Sequence, residues 1–409
     1  MNVLHVNYAD LPGRRFNGYD LLGDLRDAGV AGKQAVLSKS STNPDVVCLC
    51  GESGDGFLRE AVSRVENRHS MDHLLQPWGR VLAETPEFQY ADVVHYHLIH
   101  SQMLSLLDLP TLFAARPSVW TFHDPWPLTG HCVHPGQCEG WLAGCSPCPR
   151  LDALFPLKED RADQMFRIKQ QLFSQSDLDI VVTSDFMRDM VARSPLTGGF
   201  QHIHLIPFGI DTGAFLPSDE QLVSRRALGI PDDNYVILLR ATDSEFKGLS
   251  YVLEALGSNP PARPTTLLTV ESRGLMKGLS PGYDIVELGW VEDAALYARA
   301  FSAADVLLMP STAESFGLMA LEAMAAGRPV VCFEGTAVES VTHAPECGVA
   351  VPMGDSEALR VALDKLAADP GDARRRGHLG SALAAGPYSH RGYLDSLAAL
   401  YKSVQMRAR

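Results

Sequence analysis

The stretch TAESFGLMALEAMAAGRPVV, residues 312–331, lies between two apolar runs in the last quarter of the chain. Its leucines, methionines and alanines predict a buried helix that begins near Gly317 and ends at Gly327. Glu314 stands just before this helix and Glu322 stands inside it. A lone helix glutamate is usually a cap or a solvated surface residue. Glu322, however, is surrounded by residues expected to be buried, so the two acids need a different explanation.

The start of this helix has the chemistry of an anion site. The first backbone N–H groups of a helix have no partner within it, and the helix dipole favours negative charge there. We therefore expect the N–H groups of Phe316, Gly317 and Leu318 to face a phosphate or sugar. Gly317 lets such a group approach the backbone closely.

The rest of the chain alternates short apolar strands with helical patterns. One series begins at NVLHVNY (2–8) and a second at YVILLRA (235–241). This alternation predicts α/β architecture with parallel sheets covered on both faces, and 409 residues suffice for two such domains. We expect an N-terminal Rossmann-like domain over 1–213 and a C-terminal one over 214–386. Residues 387–409 should form a helix that packs back on the first domain, and ligands should bind at the carboxyl ends of the strands, in the cleft between the domains.

Composition narrows the functional classes. The chain is 46% apolar and 21% charged, with a formal net charge of −14, which argues against a nucleic-acid-binding surface. No window of about eighteen apolar residues predicts a transmembrane segment, and no basic leader precedes an apolar stretch, so no signal peptide is expected. A cytoplasmic protein is the default. Peripheral contact with the inner face of a membrane is left open, although residues 157–173 mix basic and acidic side chains as a solvated helix does.

Four cysteines crowd into an insertion at 125–157: Cys132, Cys138, Cys145 and Cys148. A C-x2-C step is typical of structural zinc sites, and close thiols in a reducing compartment favour zinc over disulfides. A metal bound with histidine participation is a second reading, and free or disulfide-forming thiols are a third. A four-ligand site would be structural, and its position after TFHD would let it shape an acceptor pocket.

The phrase ESFGLMALEAMAAGRPVV resembles the Glu-x7-Glu signature of glycosyltransferase family 4, retaining sugar-nucleotide-dependent enzymes of the GT-B fold. Other phrases resemble the family's motifs in the same order: IPFGID (206–211), LLRATDSEFKG (238–248), LGWVED (288–293) and GTAVESV (335–341). The region beginning TFHDPWPLTGHC (121–132) is similar to a subgroup associated with bacterial exopolysaccharide or cell-surface glycan assembly.

The resemblance assigns roles in the C-terminal domain. It implies that Arg240 and Lys247 neutralise the donor diphosphate, that Glu314 holds hydroxyls of the transferred sugar and that Glu322 holds the ribose. Two cations before a glycine agree with that role, although an ordinary surface pair is the alternative. The remaining donor contacts implied are the backbone of Phe316, Gly317 and Leu318, and Trp290 and Val291 beside the base, where packing of a loop tryptophan is an equal alternative.

In the N-terminal domain the resemblance implies that Gly18 approaches the donor phosphates and that His123 lies near the reacting sugar. A plain turn before a helix is the alternative for Gly18. Asp124 and His97 are assigned to the acceptor side, with strand-end capping or satisfied polar packing as the alternatives. Strand alternation should aim His95 and His97 the same way.

The implied reaction moves a sugar from a UDP- or GDP-sugar to a hydroxyl of a glycan, lipid-linked or small-molecule acceptor, with retention. No cofactor is required for catalysis, because two cations and a helix N-terminus can replace Mg²⁺ at the diphosphate. The alternatives are another GT-B enzyme, such as an epimerase or phosphorylase, and a catalytically silent glycan-binding protein. A nicotinamide-dependent dehydrogenase is disfavoured because no G-x-G-x-x-G follows the first strand.

Overall fold

The computed structural model of the chain describes residues 1–51, 56–215, 220–257, 260–276, 279 and 282–408. It divides into two compact units. The first comprises Met1–Thr183, Met187–Ile206 and Leu394–Arg409, and the second comprises Ser184–Phe186 and Pro207–Tyr393. Each unit is built on one parallel sheet, which confirms the α/β class expected from the alternating pattern.

The sheet of the first unit has seven strands in the order β3-β2-β1-β4-β5-β6-β7. Its central strands β4, β5 and β6 are buried along their whole length, which explains why they read as unbroken apolar runs. The strand bounds are β1 Asn2–Ala9, β2 Ala31–Ser38, β3 Val46–Cys48, β4 Val93–Tyr96, β5 Ser118–Thr121, β6 Asp179–Val182 and β7 Ile203–Leu205.

Helices and short 3₁₀ turns connect these strands. The helix before β6 shows the expected pattern, because Met165, Phe166 and Phe173 form its buried face. The helix bounds in this part of the chain are α1 Leu21–Asp24, α2 Gly56–His69, α3 Trp78–Glu84, α4 Pro86–Gln89, α5 Leu109–Ala115, α6 Ala162–Phe173 and α7 Asp185–Arg193.

The sheet of the second unit has six strands in the order β10-β9-β8-β11-β12-β13. The bounds are β8 Tyr235–Ala241, β9 Thr265–Glu271, β10 Tyr283–Gly289, β11 Val306–Met309, β12 Val330–Phe333 and β13 Gly348–Val351. The helices in this part of the chain are α8 Gln221–Ala227, α9 Leu249–Gly257, α10 Ala294–Ala303, α11 Leu318–Ala325, α12 Ala337–Val341, α13 Ser356–Ala368 and α14 Pro370–Ala385. The last helix is α15 His390–Arg407, and from Leu394 onward it belongs to the first unit.

One core layer of this unit lies between the sheet and two helices. Leu239 and Leu308 point from neighbouring strands into a cluster that includes Val252 of α9 and Leu359 of α13. These side chains are nearly or completely removed from water. Burial of this apolar surface is the main term that holds the helices on the sheet.

Both sheets contain a point at which the chain reverses its direction of winding. In the first, the strands on either side are β1 and β4; in the second, they are β8 and β11. Ligands of open α/β sheets bind beyond the carboxyl ends of the strands at such a point. Among the described residues, none of the helices combines the length and the apolar character that a membrane crossing would need.

Candidate functional site

The loops that follow β8 and β11 meet at the reversal point of the second sheet. The N–H of Thr312 donates to the carbonyl oxygen of Phe246 over 2.9 Å. Gly248 makes the approach possible: its φ is +71°, and a Cβ there would lie 2.0 Å from the carbonyl oxygen of Pro310. No side chain fits at that position without moving backbone, so this glycine sets how closely the two loops approach.

This contact brings together Lys247 and Glu314, which are 67 residues apart in sequence. Lys247 Nζ donates to Glu314 Oε1 over 2.6 Å, and the two side chains are only 21% and 14% exposed. An ion pair so far removed from water interacts more strongly than one on the surface. The structure therefore places the residues predicted for the diphosphate and for the sugar in one charged pair at the end of two neighbouring strands.

Arg240 has a different partner, Glu271, which sequence reasoning missed. Arg240 Nε donates to the carboxylate of Glu271, at the end of the adjacent strand β9. Burial lowers the pKa of Arg240, but the hydrogen bond and the charge of Glu271 outweigh it, so the pKa is raised. Glu271 also has a φ of +88°, which is rare for a residue with a side chain. The only sequence signal was an acid at the end of an apolar strand.

Glu322 lies in α11 and is 1% exposed. The hydroxyl of Tyr297, in α10, donates to Glu322 Oε2 over 2.8 Å. A buried carboxylate is costly unless hydrogen bonds compensate it, so Tyr297 is part of what holds this acid in place. Sequence reasoning missed Tyr297, because nothing in a helix pattern shows which tyrosine meets an acid 25 residues later.

The start of α11 is rigidly supported. Gly317 caps the helix in the left-handed conformation, with φ +94° and no side-chain cap, and a Cβ there would lie 3.1 Å from Val338 Cγ2. Phe316 is buried, with ring centroids 5.2 Å from Phe208 and 6.0 Å from Tyr388. The first N–H groups of the helix, at Gly317 and the half-buried Leu318, are thus held in a fixed position.

Trp290 and Val291 lie in the loop after β10, at the edge of the sheet and two strands away from β8. The Trp290 side chain is 72% exposed and Val291 is half-buried. The structure does not group these residues with the charged pair. The edge position is open to a flat ligand, and the role beside a base stays a prediction.

In the first unit, histidines gather at the reversal point between β1 and β4. His5 pairs in register with His95. His5 Nδ1 lies 3.0 Å from His97 Nε2, and His97 Nδ1 lies 3.0 Å from His123 Nε2. His95 and His97 stack with ring centroids 4.2 Å apart, as strand alternation predicts. Sequence reasoning missed His5, which is hidden in a strand that otherwise reads as apolar.

Burial keeps these imidazoles uncharged. It lowers the pKa of His5 to about 3 and that of His123 to about 4, and it lowers the pKa values of His95 and His97 well below the ordinary value. His95 stands apart from the others in its hydrogen bonds: its Nδ1 lies 2.6 Å from the hydroxyl of Tyr401, and its Nε2 lies 2.7 Å from Thr121 Oγ1.

Gly18 lies against the ring of His5. Its φ is +95°, and a Cβ there would lie 2.6 Å from His5 Cγ and Nδ1. Asn17, which sequence reasoning missed, fastens the preceding loop: its Nδ2 donates to the carbonyl oxygens of Ala9 at 2.9 Å and Asp10 at 2.6 Å. Gly18 is therefore required by packing, whether or not a phosphate also approaches it.

Asp124 is turned towards His100, with 2.7 Å between Oδ2 and Nε2, and its Oδ1 accepts from the N–H of Trp126 over 2.9 Å. Burial raises the pKa of Asp124, but His100 and the N–H of Trp126 outweigh it and the pKa is lowered. The predicted acceptor-side residues Asp124 and His97 thus lie in two separate hydrogen-bonded groups.

The first residues of the cysteine-rich insertion are held by a buried lysine, Lys169 of α6. Its Nζ donates to the carbonyl oxygens of Trp126 at 2.6 Å and Thr129 at 2.9 Å, and it lies 3.8 Å from the centre of the Trp126 ring. Burial lowers the pKa of Lys169 to about 7. Sequence reasoning treated this lysine as a surface residue of a solvated helix, and the structure places it in the core.

The four clustered cysteines are free thiols. His131 Nε2 lies 3.3 Å from Cys148 Sγ and 3.7 Å from Cys132 Sγ. Backbone N–H groups donate to the other two sulfurs, Gly130 to Cys145 at 3.2 Å and Gly140 to Cys138 at 3.4 Å.

Within the described ranges, one group of residues has three possible metal-ligating atoms within 4.8 Å of one another. This group lies outside the insertion. That group is His5, His95 and His97, all buried. The prediction of zinc on the thiols stays a prediction.

Comparison with known proteins agrees with the geometry of both units. Residues 42–214 match the profile of glycosyltransferase family 4, and residues 231–369 match that of glycosyl transferases group 1. A glycosyl transferase of Escherichia coli K12 named for colanic acid biosynthesis, WcaC, is 28% identical over 61% of this chain and 61% of its own.

Two proteins named D-inositol 3-phosphate glycosyltransferase are also similar. The protein of Segniliparus rotundus is 30% identical over 50% of this chain and 47% of its own length. The protein of Geodermatophilus obscurus is 28% identical over 76% of this chain and 67% of its own length. The matches to WcaC and to the Segniliparus protein therefore span between about half and two thirds of those relatives.

Solved structures share the architecture along the whole chain. Sucrose-phosphate synthase from Thermosynechococcus elongatus has a TM-score of 0.70 at 18% identity, with 100% of both chains covered. HepE of Anabaena, in complex with UDP and glucose, has a TM-score of 0.66 at 17% identity, with 98% and 100% covered. At these identities the likeness speaks for the fold, and the profile matches over both units speak for the family. The two profile matches together span most of both units, and the chain belongs to glycosyltransferase family 4, with the GT-B fold.

Proposed function

We propose that the protein transfers a sugar from a nucleoside diphosphate donor to an acceptor hydroxyl with retention of configuration. The observation that carries this proposal is the Lys247–Glu314 pair at the reversal point of the second sheet. A cation and an acid held there can act on neighbouring parts of one ligand, the diphosphate and the sugar beside it.

Charge on the departing diphosphate is the main demand of the reaction. Lys247, Arg240 and the start of α11 would supply the positive charge, and positive groups already in place cost no reorganisation when the bond breaks. We therefore propose that catalysis needs no metal ion at the diphosphate. The backbone of Phe316 to Leu318 would contact sugar and phosphate.

The other donor contacts follow from burial and exposure. Glu322, fixed by Tyr297, is proposed to accept hydrogen bonds from the ribose hydroxyls. Glu314 would bind hydroxyls of the transferred sugar, and the exposed Trp290 with Val291 would lie beside the base. In the first unit, Gly18 and His123 are proposed for the donor phosphates and sugar, and Asp124 and His97 for the acceptor side.

The comparisons support candidate substrates. HepE was solved with UDP and glucose, so a uridine donor is the first to test, with a guanosine donor second. WcaC is named for colanic acid biosynthesis and two other relatives for D-inositol 3-phosphate. Glycan, lipid-linked and small-molecule hydroxyls are therefore the acceptor classes proposed, in a cytoplasmic reaction of polysaccharide biosynthesis.

Calorimetric titration with UDP, GDP and ADP tests the donor site. We expect one nucleotide to bind in the micromolar range, Glu322→Ala to weaken it at least tenfold, and Glu314→Ala to reduce transfer more than binding. Glu357→Ala, an exposed acid on α13, is the matched control. If none of the nucleotides binds, or if both site variants match the control, the proposed function is wrong. The anomeric configuration of the product, read by NMR, tests retention.

We also propose that the insertion holds a structural zinc ion. The donor chemistry fits: four thiols lie in one insertion, two of them accept backbone N–H groups, and His131 contacts two sulfurs. Cys132, Cys138, Cys145 and Cys148 would be the ligands, with His131 as the alternative fourth. Zinc there would fasten the insertion and take no part in transfer.

Metal analysis of protein purified under reducing conditions without chelator tests this. We expect one zinc per chain, lost in Cys145→Ser and kept in Cys48→Ser, whose cysteine lies outside the insertion. Removal of zinc should lower the Tm. Absence of metal from the folded wild-type protein would show that the thiols serve another purpose.

A further inference from the structure

Three imidazoles form a continuous chain beneath the candidate sugar site of the first unit. It runs from His5 through His97 to His123, with both N···N distances at 3.0 Å. His97 stacks on both neighbours, with ring centroids 5.3 Å from each and planes 24° and 27° apart. The family signature and the donor site of the second unit do not use this arrangement.

Hydrogen bonding within the chain has a direction. A neutral imidazole carries one N–H and one lone pair. Because His97 faces a ring nitrogen on each side, it must donate to one neighbour and accept from the other. In one direction the protons point outward, and His123 accepts at Nε2. In the other direction His123 donates from Nε2, and the last proton comes to rest on His5 Nε2.

The buried end of the chain decides between the two. His5 is completely buried, and its Nε2 has no hydrogen-bond partner among the residues that the structure describes. The inward direction would place an N–H there with no acceptor, whereas the outward direction leaves only a lone pair. Orphaned buried N–H groups are rarer in proteins than under-satisfied acceptors. Gly18, packed against the His5 ring, keeps that ring in place.

We propose that His5 and His97 act as positioning residues that hold His123 in the tautomer with its proton on Nδ1. In this tautomer Nδ1 of His123 is a donor, and its one lone pair, on Nε2, already accepts from His97, so the ring does not serve as a general base. A sugar oxygen as acceptor rests on the proposed function; the tautomer does not.

A metal ion is the competing explanation for buried histidines that lie so close together, because ligand atoms of His5, His95 and His97 fall within 4.8 Å of one another. A metal would have to displace existing hydrogen bonds. Both nitrogens of His95 face hydroxyls at 2.6 and 2.7 Å, and both nitrogens of His97 face histidines. The hydrogen-bonded chain satisfies these groups without an ion.

Long-range ¹H–¹⁵N NMR of the full-length protein, labelled at histidine, reads the tautomers directly. We expect the Nδ1-protonated form for His5, His97 and His123 as single species, unchanged between pH 6 and pH 8. An Nε2-protonated His123, a mixture of tautomers, or a titration within this range overturns the proposal. Stoichiometric binding of zinc or cobalt that removes the His5 and His97 signals also overturns it.

Variants at position 97 separate positioning from mere packing. His97→Leu removes the donor to His123, so His123 should become a mixture of tautomers and kcat should fall about tenfold. His97→Asn keeps an amide N–H near the Nδ1 position and should restore one tautomer and most of the activity. His95→Phe, a buried neighbour outside the chain, should leave the His123 tautomer unchanged. If His97→Leu and His97→Asn change the His123 tautomer and kcat equally, the proposal is overturned.

If a variant does not fold, as judged by thermal unfolding, the wild-type spectrum alone decides. The two proposals also fail separately. A single Nδ1-protonated His123 in a protein that binds no nucleotide would refute the transfer reaction and leave the imidazole chain intact. Nucleotide binding with a mixed His123 tautomer would do the opposite.

Discussion

Lys247 and Glu314 neutralise each other: the ammonium donates to the carboxylate over 2.6 Å, with both side chains mostly buried. A diphosphate that binds Lys247 must share the ammonium with Glu314, whose carboxylate repels it. The acid assigned to the sugar therefore works against binding of the leaving group, and this opposition can be measured.

Replacement of Glu314 by Gln should separate binding from transfer. The variant frees the Lys247 charge, so affinity for the nucleoside diphosphate should stay equal or rise several-fold, while transfer falls about a hundredfold because the sugar loses its carboxylate contact. Lys247→Met should instead weaken binding of the nucleoside diphosphate at least tenfold. Calorimetric titration and single-turnover assays report the two effects, and equal weakening by both variants would contradict this opposition.

The hydrogen bond from Tyr297 to Glu322 predicts a loss of nucleotide affinity in Tyr297→Phe. A hydrogen bond to a charged group contributes about 1.5–3 kcal/mol, so the Kd should rise about tenfold or more. The matched control is Tyr235→Phe, because the hydroxyl of Tyr235 is buried and meets no hydrogen-bond partner in the described part of the chain. That change should leave the Kd unaltered. A Kd that does not respond to Tyr297→Phe would mean that Glu322 is positioned by its other contacts.

Sequence patterns predicted the elements that carry long apolar runs, such as β8 and β11, and the acids that stand out against them. They did not predict β2, which begins with exposed and half-exposed residues, or the three-residue β3. These strands owe their existence to pairing with β1, a tertiary effect that a local pattern does not contain.

The residues of the candidate site also divide into those that local sequence indicates and those that only tertiary contacts reveal. Glu314 and Glu322 stand out because they interrupt apolar sequence, and the resemblance to glycosyltransferase family 4 supplied their roles and that of Lys247. Their partners Tyr297 and Glu271 come from other elements, and contact across a fold leaves no mark in local sequence. His5 was hidden for a related reason: a histidine in an apolar strand reads as a strand residue, and only the register with His95 shows that imidazoles meet there.

The close approach of the loops after β8 and β11 predicts a severe effect of Gly248→Ala. The new Cβ would meet the Pro310 carbonyl oxygen at 2.0 Å, in addition to the strain of a left-handed φ. Gly229→Ala is the matched control, since its φ is also +71° and nothing lies within 4 Å of the added Cβ. We expect a loss of about 1 kcal/mol in the control and about 3 kcal/mol or more at Gly248, measured by urea unfolding.

Similar losses at the two glycines would mean that backbone strain dominates and the loops adjust to the added atom. If the clash is relieved by separation of the loops, Gly248→Ala should also weaken nucleotide binding, because Lys247 would move away from the start of α11, with which it is proposed to hold the diphosphate. Gly229→Ala should bind nucleotide normally. The binding measurement thus distinguishes local strain from loss of the site.

Buried uncharged histidines predict a strong dependence of stability on pH. Burial lowers the pKa of each of these residues below the ordinary histidine value of 6.5, to about 3 for His5 and about 4 for His123. The others shifted well below are His73, His95 and His97. Below pH 6.5 the unfolded chain binds protons at these positions and the folded chain does not. The free energy of unfolding should therefore decrease as the pH is lowered below 6.5, by up to about 1.4 kcal/mol per pH unit for each histidine.

Urea unfolding between pH 7.5 and pH 5 checks the sign and the number of groups. The stability should be nearly constant above pH 7 and should fall by several kcal/mol towards pH 5, a loss that continues until the folded-state pKa values are reached. His5→Phe removes one titrating group and one buried nitrogen without a partner, so its slope below pH 6.5 should be shallower by about 1.4 kcal/mol per pH unit. A wild-type stability that does not change between pH 7 and pH 5 would mean that the cluster takes up protons in the folded state, which the imidazole chain does not allow.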